Sequence, residues 1–227
     1  MKDPERHEHL RHIRAFIAVN LPVAILQRVV ELQKDLRARA QQAGLKVGWV
    51  PPTGMHVTLK FLAEIPEESV WAVRDVLRDR LVRRAGFTAR VGGAGAFPSR
   101  ERPRVLWLGV DGPSDELVRL AGDVESWLEE LGFAREKRAF HPHLTLGRVK
   151  AGTADVLGGL ETVDFGECSV TEVVLYQSVL KRQGAEYSPL ARIPLETPRG
   201  TLARGTGGSA GTETSSRATA GDDHDLH

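Results

Sequence analysis

The chain carries a single cysteine, Cys168, in 227 residues. One thiol excludes an intramolecular disulfide and any cysteine-rich zinc site. Its apolar neighbours point to a buried structural thiol rather than a nucleophile. Long apolar runs are also missing. None approaches the roughly 20 residues that span a bilayer, and the first twelve residues lack the apolar segment of a signal peptide. A cytoplasmic protein with no membrane partner is therefore expected. There is no excess of charge of one sign either: the formal net charge is +1. Coating nucleic acid by charge alone is excluded, whereas a local basic patch for a polynucleotide end or a nucleotide is not.

What is present is ordinary for a globular chain, with 41% hydrophobic and 27% charged residues. Residues 1–12 read as a disordered leader with His7, His9 and His12 among charges. Residues 198–227 are rich in Gly, Ser, Thr and Ala, with too few large apolar residues to offset ordering entropy, and read as a disordered tail. Between them, 13–197 form one domain. Strands are expected over 14–20, 46–50, 55–63, 87–97, 104–110 and 144–149, with a closing antiparallel pair over 170–180 and 187–195. Helices are expected after Pro22, Pro66 and Pro113. Their apolar stripes run through Val23–Leu36, Val70–Leu81 and Leu117–Leu131, and Gly132 sits at a C-cap position. The mixture lacks the strict rhythm of a doubly wound sheet and implies an α+β fold with mostly antiparallel sheets.

Two tetrapeptides echo each other, His56-Val57-Thr58-Leu59 and His143-Leu144-Thr145-Leu146. In a strand, residues i and i+2 share a face. Each motif then presents an imidazole and a hydroxyl side by side, while its apolar residues point into the core. Two imidazoles with pKa values near neutrality can serve as acid and base at a phosphodiester. Threonine hydroxyls can hold its non-bridging oxygens without adding charge. No metal or other cofactor is needed in this scheme.

The paired motifs resemble those of the two-histidine (2H) phosphoesterase superfamily. Arg14–Val19 followed by Pro22, Trp49, His56–Leu62, Phe97-Pro98, Pro103–Trp107 and Phe140–Arg148 are similar, in order, to segments of the RNA 2′,3′-cyclic phosphodiesterases, also called 2′-5′ RNA ligases. The resemblance spans about residues 13–195. It implies a bilobal α+β fold with pseudo-twofold symmetry, two mostly antiparallel sheets, helices on the outer faces and one motif per lobe. It implies hydrolysis of RNA 2′,3′-cyclic phosphate ends to 2′-phosphomonoesters, with possible reversal as 2′-5′ ligation. His56 matches the proton donor, His143 the acceptor, and Thr58 and Thr145 the phosphate-holding hydroxyls. The family often has Leu-Gly where this chain has Leu62-Ala63. A small-nucleotide cyclic phosphodiesterase and a non-catalytic RNA-binding module on the same fold are the alternatives. A monomer is expected.

Other residues allow two readings each. Strand parity puts Arg148 on the face opposite Thr145, as a surface ion pair, unless a bulge near Gly147 turns it to the phosphate. Arg104, with Arg100 and Arg102, and the cluster Arg135, Lys137 and Arg138 form either a basic rim for RNA or solvated loops. Phe97 and Phe140 either stack on a base or pack in the core. His141, two residues before His143, is either a zinc ligand or a packing residue at the strand entrance; a zinc site would need more donors than the motifs supply.

Overall fold

The computed structural model describes residues 11–112, 115–181 and 184–196. The expected tail lies outside them, as do the first ten residues of the expected leader; His12 already belongs to a strand. The chain opens with β1 (His12–Val19), in which Ala15, Ile17 and Val19 point into the core. Pro22 then caps α1 (Val23–Gln42): its carbonyl accepts the N–H groups of Ile25 and Leu26. The buried residues of α1 are Ile25, Val29, Gln33, Leu36 and Ala40, one stripe of a 3.6-residue period. The elements β2 (Lys46–Trp49), a 3₁₀ turn (Pro52–Gly54), β3 (Val57–Pro66), α2 (Ser69–Leu81) and β4 (Phe87–Phe97) follow. The second half contains β5 (Val105–Asp111), α3 (Glu116–Glu129), β6 (His143–Ala151), β7 (Asp164–Val170), β8 (Glu172–Lys181) and β9 (Gly184–Pro194).

These strands form two antiparallel sheets, ordered β3-β1-β8-β9 and β2-β6-β5-β4-β7. Each sheet contains one motif strand, β3 at the edge of the first and β6 inside the second. β3 pairs with β1 and β6 pairs with β5, and each half of the chain lends two strands to the other sheet: β2 joins β6 and β4 joins β5, while β8 joins β1 and β9 joins β8. Helix α1 follows β1 yet packs on β7 and β2 of the five-stranded sheet. α3 follows β5 yet packs on β3 of the four-stranded one. The lobes therefore interlock, and neither half of the chain could bury its helices alone. The α+β, bilobal, pseudo-twofold architecture is as expected.

Several local expectations need correction. Val23 and Leu131, at the ends of their expected stripes, are exposed. Helix α2 begins at Ser69, and Pro66 instead ends β3. Strand β7 was not foreseen. Its alternation is broken where Gly166, at φ +86°, opens a bulge opposite Val91 and Gly92, so Phe165 and Cys168 are buried three residues apart rather than two. Cys168 is buried as expected, and burial pushes its thiol pKa up. Finally, His56 immediately precedes β3 rather than lying within it. Among the described residues no helix is long and apolar enough to cross a membrane.

Candidate active site

The motif strands β3 and β6 face one another across a cleft of about 990 Å³ lined by His56, Thr58, His143, Thr145 and Arg148. The expected parity holds at both motifs. Val57, Leu59, Leu144 and Leu146 are buried in the core, while the threonines are half-buried on the cleft side. Neither threonine hydroxyl has a hydrogen-bond partner among the described residues, so both are free to donate to a ligand.

Beyond the motifs strict parity fails, and it fails the same way in both lobes. Thr58 pairs with Ala18 and Lys60 with Ile17, which leaves Leu59 as an extra residue. Thr145 pairs with Trp107 and Gly147 with Leu106, which leaves Leu146 as an extra residue. The motif leucine is thus the inserted residue of a β-bulge each time, and the bulge resets the facing of the residues that follow, in β3 as far as a second register shift at Leu62. Lys60 and Gly147 turn inward, while Phe61 and Arg148 turn to the cleft. The bulge that would redirect Arg148 is present, one residue before Gly147. The second bulge is fastened from behind. Buried Gln33 of α1 donates through Nε2 to the Leu146 carbonyl at 2.7 Å and to the Val50 carbonyl at 3.0 Å.

Each histidine is oriented by a carbonyl two residues upstream and backed by aromatic rings. Nδ1 of His143 lies 2.7 Å from the His141 carbonyl oxygen. With Nδ1–H donating to that carbonyl, the Nε2 lone pair is left to act as acceptor. Phe97 meets the His143 ring edge-on at 5.1 Å. His56 has the Gly54 carbonyl as its backbone partner, the Phe16 ring stacked at 4.7 Å and the Tyr187 ring edge-on at 5.1 Å.

This packing controls protonation. Burial pushes the His56 pKa down to about 4, the Gly54 carbonyl partly opposes it, and the Arg148 charge lowers it further. His143 is also lowered by burial, with the His141 carbonyl opposing and the charges of His141 and Arg148 adding. Both imidazoles are therefore neutral in the free protein near pH 7. An incoming phosphodiester anion would raise both pKa values.

The remaining sequence candidates fall outside the cleft. Arg104 is exposed on the strand entrance, where its backbone N–H donates to the Phe97 carbonyl, and Phe140 packs against the core; neither lines the cleft. Arg100 is ion-paired with Asp155 and Glu161, and Arg135 with Glu129. His141 packs edge-on against Trp107 at 4.9 Å, as the packing reading expects. Among the described residues no group of three or more His, Cys, Asp or Glu could hold a metal ion. Sequence reasoning missed Phe16, Tyr187, Arg14, Phe61 and Lys150, all in the cleft or behind its histidines. Carrying the bulge through the strand parity would have found Phe61 and Lys150.

A second concavity of about 680 Å³ lies between the end of α2 and α3. There Arg84 is neutralised by Glu116 and Asp123.

Comparisons with known proteins bear on this geometry directly. The model of the LigT like Phosphoesterase family matches twice, over residues 19–107 and 108–187, once for each motif. An RNA 2′,3′-cyclic phosphodiesterase from Archaeoglobus fulgidus is 37% identical over 181 residues, 78% of this chain and 98% of that protein. One from Aeropyrum pernix is 35% identical over 163 residues, covering 70% and 92%. The crystal structure of TT0787 from Thermus thermophilus superposes with a TM-score of 0.70 at 32% identity, covering 82% of this chain and all of that one. Escherichia coli LigT complexed with 3′-AMP superposes with a TM-score of 0.66 at 30% identity, covering 82% and 99%. With both motifs on facing strands and the family model matching each half, the chain belongs to the LigT-like phosphoesterase family.

Proposed function

We propose that the chain opens RNA 2′,3′-cyclic phosphate ends to 2′-phosphomonoesters by metal-independent acid–base catalysis. The observation that carries this reading is the pair of carbonyl-oriented imidazoles sharing one cleft with two unpartnered threonine hydroxyls and Arg148. The relatives named RNA 2′,3′-cyclic phosphodiesterase support the substrate class, and a LigT structure complexed with 3′-AMP supports a site for ribonucleotide phosphates.

In this scheme His143 takes a proton from water as the water oxygen bonds to phosphorus. The bond from phosphorus to O3′ breaks on the opposite side, and His56 delivers its proton to O3′. Thr58, Thr145 and Arg148 hold the non-bridging oxygens, whose charge grows in the transition state. His56 must be charged to act as donor although its free-state pKa is about 4. The substrate anion supplies that shift. The phosphate stays on O2′. A 5′-hydroxyl in place of water would run the same exchange in reverse, as 2′-5′ joining. The cytoplasmic, monomeric state expected from the sequence belongs to this reading.

The test is digestion of a cyclic-ended oligonucleotide, followed by a phosphatase specific for 3′-phosphates. The product should resist it; full release of phosphate would mean the roles of His56 and His143 are exchanged. His56→Ala and His143→Ala should each lower turnover by at least the 10²–10⁴-fold typical of such groups, and excess EDTA should leave wild-type turnover unchanged. Near wild-type rates in either variant would remove the acid–base assignment. Loss of activity with EDTA, restored by zinc, would replace the metal-independent scheme with a metal-dependent one.

A further inference from the structure

The cleft is not symmetric in charge, and the asymmetry runs in one direction. Resetting by the Leu146 bulge places Arg148 and Lys150 on the cleft face, either side of buried Val149. Both line the cleft. Lys150 is the extra residue of a register shift against β2, and residues i and i+2 of a strand are separated by at most about 6.6 Å. That is of the same order as the span between the phosphates on the two ends of one ribose. In the other lobe a second register shift, at Leu62, ends the correspondence, and the seventh residue after the first histidine is the uncharged Ala63, which does not line the cleft.

Lys150 is also shaped to serve there. A Cβ added to Gly48 would stand 2.8 Å from Lys150 Cε and 3.5 Å from Nζ. The lysine stem thus lies across bare backbone of β2, which brings its ammonium over the residue that pairs with Arg148. Any side chain at position 48 would displace it. The ammonium has no carboxylate or hydrogen-bond partner among the described residues. Of the other cations of the cleft wall, Lys181 pairs with Glu186 at 2.5 Å, and Arg14 stands on β1 of the other sheet, with Glu64 as its ladder neighbour.

We propose that Lys150, lying over Gly48, forms a subsite for the 5′-phosphate of the terminal nucleotide, so that the protein takes RNA ends in preference to free nucleoside cyclic phosphates. The subsite rests on the proposed function, because it places the cyclic phosphate beside Arg148. It gives the bound strand one exit, along β6 toward the β2 edge.

Adenosine 2′,3′-cyclic phosphate and the same nucleotide bearing a 5′-phosphate separate the two ideas. Wild-type protein should turn over both, with kcat/KM about three- to fivefold higher for the 5′-phosphorylated compound, the gain of one exposed ion pair. Its salt dependence should be steeper, with a log–log slope larger by about 0.7, as for one phosphate neutralised on a single strand. In Lys150→Ala the ratio should fall to about one and the extra slope should vanish, while Lys150→Arg should keep both. Equal kcat/KM for the two compounds in wild type, or a preference unchanged in Lys150→Ala, would overturn the subsite and leave the function standing. Failure of wild type to turn over either compound, or a cyclic-ended oligonucleotide, would overturn both.

Discussion

Phe61 and Arg148 occupy corresponding places in the two lobes, each five residues after its motif histidine and each carried into the cleft by a bulge at the motif leucine. One is an exposed ring and the other a guanidinium. The scaffold repeats; the chemistry it presents does not. A pseudo-twofold site with equivalent walls could bind a phosphodiester in either sense. Here the Arg148 guanidinium stands on the β6 side, and its charge adds to burial in depressing the pKa of both histidines.

The pH profile should report it. kcat/KM reads the free enzyme, in which one histidine must be charged and the other neutral. With His56 at about 4 and His143 also lowered, the alkaline limb of kcat/KM should fall below the ordinary imidazole value of about 6.5. The limb in kcat should lie higher, because the bound anion raises both groups. Arg148→Met should cut kcat/KM on the order of 10²-fold, as expected for loss of a charge-stabilising donor. It should also move the free-enzyme profile to higher pH, since a positive charge that lowered both pKa values is gone. An unmoved or acid-shifted profile would place Arg148 away from the histidines.

Buried Lys60 joins the motif strand to α3. Its Nζ donates to Glu125 at 2.5 Å and to the Ala134 carbonyl at 2.8 Å. The Leu59 bulge turns this lysine inward, so it has no route to solvent. Glu125→Ala should cost about 3–5 kcal/mol, because it strands a buried charge, whereas Lys60→Met with Glu125→Leu should cost clearly less. Denaturant titration of the three proteins checks the order. A double variant less stable than Glu125→Ala alone would contradict it.

Ala63 adopts φ +58°, a left-handed conformation that costs an L-residue roughly 1–2 kcal/mol. This is the position where the family often carries glycine, and the backbone gives the reason. Glycine removes that penalty but costs about 0.5–1 kcal/mol in unfolded-chain entropy. Ala63→Gly should therefore stabilise by a few tenths to about 1 kcal/mol, seen as a higher denaturation midpoint at unchanged slope. A destabilised variant would mean that the alanine methyl makes compensating contacts.

Much of this was legible in the sequence because period and chemistry agreed. The motif residues Val57, Leu59, Leu144 and Leu146 are buried where alternation puts them, and the stripe of α1 has the helical period. The illegible parts share one cause. A bulge leaves no mark in composition but inverts the facing of the residues that follow, up to the next bulge. Parity therefore put Arg148 on the wrong face, hid Phe61 and Lys150 from the cleft, and made β7 unrecognisable. Arg104 and Phe140 have suitable residue types near a motif, and type does not decide which way a side chain points.

Gln33 is the clearest case of a residue whose role appears only in three dimensions. In the sequence it is one polar residue inside a helical stripe; in the fold it is 2% exposed and holds the Leu146 and Val50 carbonyls. The Leu146 carbonyl also accepts the Val50 N–H, so it keeps one partner without the glutamine, whereas the Val50 carbonyl loses its side-chain donor. Gln33→Leu should cost about 1 kcal/mol, the low end of the penalty for an abandoned acceptor, because the Val50 carbonyl is part-buried. The effect on catalysis separates anchoring from mere packing. If Gln33 fixes the bulge, the variant should lose kcat/KM with a pH profile shifted toward that of Arg148→Met, because Arg148 no longer faces both histidines. Gln33→Met, which fills the same volume with no donor, should do likewise. A variant that melts earlier but keeps the wild-type profile and turnover below its midpoint would show that the bulge holds itself, and that Gln33 only fills space beneath it.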